Sequence, residues 1–186
     1  EMEELKDPVS PPLSGKKLVL ITKMKGLKEI VEMTLGCQIS TITPEDILKN
    51  GVDIDGASGI INAWSLDMTT DAYPKDWGKE SDLVLKSLFK ISKEMAPVLK
   101  EGGHFYSITR MGGDFGISKD VNPFNGAISG FTKAVNREYP NSSVMVLDVP
   151  EDMRMDDIFD HLSREIPSEH TIAEIGFDGK VRRRPV

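Results

Sequence analysis

Apolar runs of strand length alternate along this chain with amphipathic stretches of helical period. Lys17-Leu18-Val19-Leu20-Ile21-Thr22 is such a run, and after it Leu27, Ile30, Val31 and Met33 recur at mostly helical spacing between Gly26 and Leu35. Cys37 to Ile42 predicts a second strand. Thr43-Pro44-Glu45-Asp46 predicts a helix start: Thr43 can cap, Pro44 suits the first helical position, and the two acids favour the positive end of the helix. Asn50-Gly51 ends that helix early. A third strand is expected at Gly59 to Trp64.

The clearest helix is expected to start from a Ser81 cap. Its apolar stripe is Val84, Leu88, Ile91, Met95 and Leu99, Pro97 ends or bends the last turn, and Gly102 stops it. A strand at His104 to Thr109, a helix from Phe124 to Tyr139, a strand at Val144 to Asp148 and a helix from Met155 to Ile166 follow. Thr171 to Phe177 and Lys180 to Arg184 flank Asp178-Gly179, a hairpin turn signal. Strand and helix in alternation predict a Rossmann-like α/β fold, a mostly parallel sheet with helices on both faces. Residues 17–186 read as one unit. Residues 1–16, with Asp7-Pro8-Val9-Ser10-Pro11-Pro12 at their centre, read as a linker.

Composition fits one soluble domain: 186 residues, 39% hydrophobic and 28% charged. A chain of this length can bury roughly 70% of its unfolded surface and needs no disulfide or metal staple. A formal net charge of −7 argues against a nucleic-acid partner, which a surplus of Lys and Arg would mark. Cys37 is the single cysteine, so no internal bridge forms. No apolar run approaches the roughly 18 residues that span a bilayer, so no membrane partner and a cytoplasmic location are expected.

A dinucleotide site needs glycines after the first strand, where a Cβ would collide with the pyrophosphate. Here the turn is Thr22-Lys23-Met24-Lys25-Gly26, and solvated loop lysines are the preferred account of Lys23 and Lys25. The glycine-rich Met111 to Gly116 follows a later strand and reads as a flexible loop. No Tyr-x-x-x-Lys pair exists: four residues after Tyr73, Tyr106 and Tyr139 stand Trp77, Arg110 and Ser143. Lys133 has Ser129 four residues before it, whose alkanol is no acid at neutral pH.

Gly126-Ala127-Ile128-Ser129-Gly130 is out of register for a nucleophile elbow and lies in a helical pattern. Gly126, Gly130 and Ala134 instead make a smooth helix face that predicts close packing against a neighbour. His104, His161 and His170 are isolated, so no metal site is expected and they read as ordinary surface or strand-end histidines. Asp156, Asp157 and Asp160 read as a solvated helix face, and Arg182-Arg183-Arg184 as charges alternating across a strand.

Several segments carry a resemblance. Gly103-His104-Phe105-Tyr106-Ser107-Ile108-Thr109-Arg110, the stretch from Asn125 to Pro140, Val146-Leu147-Asp148-Val149-Pro150, and Glu174-Ile175-Gly176-Phe177-Asp178-Gly179-Lys180-Val181-Arg182-Arg183 resemble the ketoreductase region of modular polyketide synthases and polyunsaturated fatty acid synthases. They are similar to its first half, the structural subdomain. That resemblance implies a truncated short-chain-dehydrogenase-type fold with no cofactor and no catalytic residue of its own. It also implies two partners: a catalytic ketoreductase subdomain, expected to follow in the same polypeptide and to bind NADPH, and the acyl carrier protein whose β-ketoacyl group is reduced. Where an active short-chain dehydrogenase places its catalytic serine, this chain has Thr109-Arg110. The alternatives are a divergent reductase with an improvised Thr109, Ser129 and Lys133 site, and a stand-alone docking module.

Overall fold

A computed structural model describes residues 12–69, 71, 74–166 and 173–185. Among these residues, seven strands form one sheet: β1 (Lys17–Ile21), β2 (Gln38–Ile42), β3 (Gly59–Asn62), β4 (His104–Thr109), β5 (Ser143–Asp148), β6 (Glu174–Phe177) and β7 (Arg182–Arg183). Their order is β2-β1-β3-β4-β5-β6-β7, and every neighbouring pair is parallel except the antiparallel β6–β7. The strand order reverses between β1 and β3, which sets the topological switch point there.

The helices are α1 (Leu27–Leu35), α2 (Pro44–Asn50), α3 (Trp77–Ser81), α4 (Ser87–Lys100), α5 (Pro123–Glu138) and α6 (Met155–Glu165). Alternation of side chains along the strands fills two cores. On one face Leu18, Leu20, Ile61, Ile108 and Leu147 meet α1 and α6 through Val31, Leu35, Phe159 and Leu162. On the other, Val19, Ile60, Phe105 and Val144 meet α2, α4 and α5 through Ile47, Ile91, Met95 and Ile128. The expected α/β sheet with helices on both faces is the fold observed.

Several boundaries differ from expectation. Ser81 is not a cap: it sits in helical backbone, and the helix begins a turn earlier, where the Asp76 side chain accepts from Lys79 N at 3.0 Å and Trp77 packs on Phe124 with ring centroids 5.3 Å apart. A π-helical turn at Asp82–Lys86 joins α3 to α4. Pro97 does not end α4, which runs on to Lys100; Pro97 and Lys93, whose carbonyl loses its usual donor, both lie on the exposed side. The third strand stops at Asn62, because the Asn62 Oδ1 accepts from Trp64 N at 3.2 Å and turns the chain into a 3-10 turn at Trp64–Leu66. Thr43 caps α2 as expected, accepting from Asp46 N at 3.2 Å.

The folded unit also begins before residue 17. Leu13, placed in the linker by its polar and proline-rich neighbours, is buried among the α1-side core residues, and its N–H donates to Leu35 O at 3.2 Å. Tyr73, His170, Thr171 and residues 1–11 lie outside the described residues.

Candidate functional site

In an open parallel sheet, ligands bind at the carboxyl ends of the strands, at the switch point. Here that crevice lies between the ends of β1 and β3. Thr22 and Lys23 follow β1, and Asp67 follows the 3-10 turn after β3. Thr22 Oγ1 donates to Asp67 Oδ2 at 2.7 Å, and Lys23 N–H donates to the same oxygen at 3.0 Å. Met24 N–H donates to Thr22 Oγ1 at 3.0 Å. Lys23 and Lys25 are exposed, as expected of loop lysines, and the Lys23 ammonium stands 4.9 Å from the Trp64 ring centroid, over the negative face of the indole.

Beyond β4 and β5, a second carboxylate organises the glycine-rich loop. Asp148 is fully buried; its Oδ1 accepts from Thr109 Oγ1 at 2.9 Å and from Met111 N at 2.6 Å, and its Oδ2 from Phe115 N at 3.0 Å. Burial pushes the Asp148 carboxyl up, and these hydrogen bonds pull it down less strongly. The loop expected to be flexible is therefore pinned, with Phe115 held at φ 64. Arg110 crosses the strand ends: its N–H donates to Asn125 Oδ1 at 2.9 Å and its guanidinium to the Glu151 carbonyl. The space left among Arg110, Lys119, Asn122, Asn125 and Glu151 is about 20 Å³.

Ser129 and Lys133, one helical turn apart on α5, meet on a third carboxylate. Ser129 Oγ donates to Glu174 Oε1, and Lys133 Nζ lies 2.7 Å from Glu174 Oε2. Glu174 is buried and pairs in register with Val146, two residues before the Asp148 that holds Thr109. Ser129 and Lys133 thus share one partner and Thr109 has another. Burial pushes the Tyr106 phenol up to about 12, only partly opposed by its hydrogen bond with Ser143.

No family model matches the chain, and no curated protein does. Solved structures do. A 3-ketoacyl-(acyl-carrier-protein) reductase from Brucella melitensis complexed with NADH has a TM-score of 0.67 at 12% identity, over 90% of this chain and 98% of that one. The fold is a short-chain dehydrogenase/reductase fold. A short-chain dehydrogenase/reductase described as a glucose/ribitol dehydrogenase, also from Brucella melitensis, aligns with a TM-score of 0.63 at 14% identity, over 89% and 95% of the two chains. A C2-type ketoreductase from a modular polyketide synthase aligns with a TM-score of 0.63 at 12% identity; the match covers 94% of this chain and 42% of that one.

In a short-chain dehydrogenase/reductase fold the first strand–helix turn is where a dinucleotide's phosphates are expected. The residues at that turn do not fit a pyrophosphate as they stand, because Asp67 already takes its Lys23 amide and Thr22 hydroxyl and would repel a second anion. Among the described residues no group of His, Cys, Asp and Glu is placed to hold a metal ion, and no helix is long and apolar enough to cross a membrane.

The smooth face of α5 points outward. Gly126, Gly130 and Ala134 are exposed, and a Cβ at either glycine would meet nothing within 4 Å. His161 is not a surface histidine: it stacks on Phe177 at a centroid distance of 3.8 Å, beside a cavity of about 490 Å³ bordered by Pro150 and Met153. Asp156, Asp157 and Asp160 are exposed, as expected. The arginine run is ion-paired, Arg182 with Glu165 and Arg183 with Asp178. Cys37 is buried, and burial pushes its thiol up to about 11.

Sequence reasoning missed Asp67, Asp148 and Arg110 as organisers of the strand ends. The one available signal was a charged residue ending an otherwise apolar strand at Asp148.

Proposed function

We propose that this chain is a non-catalytic structural subdomain that supports the NADPH-dependent β-ketoacyl reductase of a polyketide or fatty acid multienzyme. The observation that carries it is the closure of the switch-point crevice by Asp67 on the Thr22–Lys23 turn. The filled strand ends around Arg110 and the match to 42% of a polyketide synthase ketoreductase support it further. The chain itself holds no cofactor. NADPH belongs to a catalytic ketoreductase subdomain, and the β-ketoacyl group arrives on an acyl carrier protein. The exposed Gly126, Gly130 and Ala134 face of α5 lets a partner backbone approach closely, and is the surface offered to that subdomain.

The alternative is a divergent reductase acting alone, favoured by the alignment over 98% of a reductase complexed with NADH. It has to draw on Thr109, Ser129 and Lys133, which the fold divides between Asp148 and Glu174. The separating experiment assays reduction of a β-ketoacyl thioester on an acyl carrier protein with NADPH, using this chain, a ketoreductase catalytic subdomain, and both. A structural subdomain gives no turnover alone and raises or stabilises the activity of its partner. Turnover by this chain alone that Lys133→Ala abolishes would establish the reductase instead.

A further inference from the structure

We infer that Asp67 is the resident anion of the β1–α1 turn, a carboxylate standing where nucleotide-binding α/β folds seat a phosphate, and that removing it leaves a site for a small oxyanion such as inorganic phosphate. This rests on the absence of a nucleotide from the chain's proposed role and adds the residue that closes the crevice.

Two donors from one turn converge on one oxygen: Thr22 Oγ1 at 2.7 Å and Lys23 N at 3.0 Å from Asp67 Oδ2. Convergent backbone and hydroxyl donors at a turn are the means by which folds bind phosphate. The carboxylate is delivered by a fixed arm. Ala63 N donates to Ile21 O at 3.1 Å, Ser65 Oγ to Ile108 O at 2.6 Å, and Asp67 N to Trp64 O at 2.9 Å, so the segment carrying Asp67 is tied to β1, to β4 and to itself.

The same turn carries a cation, Lys23, whose ammonium stands 4.9 Å from the ring centroid of Trp64, three residues before Asp67. Hydrogen bonds to a charged acceptor are about twice as strong as neutral ones, so the donors are better served by a carboxylate than by water. Without Asp67, the Lys23 amide and Thr22 hydroxyl lose their shared acceptor but stay preorganised by the strands that carry them.

The test compares the wild-type chain with Asp67→Ala, and with Asp67→Ser as a second variant, in inorganic phosphate and in sodium chloride of equal ionic strength. Phosphate at about ten times its dissociation constant should raise the melting temperature of the variants by about 3 °C, while chloride and the wild-type chain show no such rise. The Lys23 amide resonance should move with phosphate in the variants only. Variants that fold only in phosphate give the same answer through yield. Variants that melt alike in both salts with an unmoved Lys23 amide, or that fold in neither salt, overturn the inference. NADPH binding by the wild-type chain would instead overturn the proposed structural role, so the two failures are distinguishable.

Discussion

Arg182 holds Glu165 with two hydrogen bonds, Nε to Oε1 at 2.7 Å and a terminal nitrogen to Oε2 at 3.0 Å, and so ties β7 to α6. His161 Nε2 stands 3.3 Å from Glu165 Oε1 while its ring stacks on Phe177 of β6. Burial pushes the Glu165 carboxyl up, but the nearby His161 ring and the hydrogen bonds and charge of Arg182 outweigh it and hold the group at about 2.

A carboxyl whose pKa is depressed by folding stabilises the fold above its unfolded value and loses that contribution as pH falls. For Glu165 the contribution is complete above about pH 4.5 and is lost on the way down through about pH 2. The shift corresponds to about 3 kcal/mol, reduced to about 2 kcal/mol by solvent screening of the partly exposed Arg182. Denaturant melts across this range should show the wild-type chain losing about 2 kcal/mol more than Glu165→Gln.

Asp148 accepts from Thr109, Met111 and Phe115 with no exposure to water. Asp148→Ala strands those donors, each at about 1–3 kcal/mol when buried, so a loss of about 3 kcal/mol or more is expected. Hydrogen exchange should accelerate first at the Met111 and Phe115 amides. Unchanged protection there would mean that the loop is held by something else.

Gly126 and Gly130 sit inside α5 with open space beside them. Replacing either by Ala should stabilise the isolated chain by about 0.5–1 kcal/mol, since glycine is a poor helix former. Gly130→Gln should leave the isolated fold intact yet weaken association with the catalytic subdomain, measured by titration of one purified part into the other. Equal affinity for wild type and Gly130→Gln would move the interface elsewhere.

Tyr106 is buried against Ser143 and His104, and its phenol is pushed up to about 12. An absorbance titration should therefore leave one tyrosine un-ionised until near that pH or until the chain unfolds. Tyr106→Phe should remove that late step.

The alternation of strands and helices was legible because both cores demand it: period-2 strands feed residues to two faces, and each helix stripe covers one. The Ser81 boundary was misplaced because the apolar stripe starts near it, while the true start is set by Asp76 and by Trp77 resting on Phe124, contacts without a periodic trace. The separation of Thr109 from Ser129 and Lys133 was equally hidden, since it depends on Asp148 and Glu174, brought in by strands remote in sequence. Asp67 was the least visible of all. It lies 44 residues from Lys23, and only the β1–β3 pairing brings the two together. The missing glycines at Thr22 to Gly26 pointed to a turn unsuited to a dinucleotide, but not to the acid that occupies it.

The most direct measurement of the central claim is a calorimetric titration of NADPH into the isolated chain. A structural subdomain whose switch-point crevice is closed by Asp67 gives no saturable heat up to about 1 mM ligand, the weak end of useful affinity. Saturable binding in the micromolar range, with reduction of a β-ketoacyl thioester by this chain alone, would contradict it.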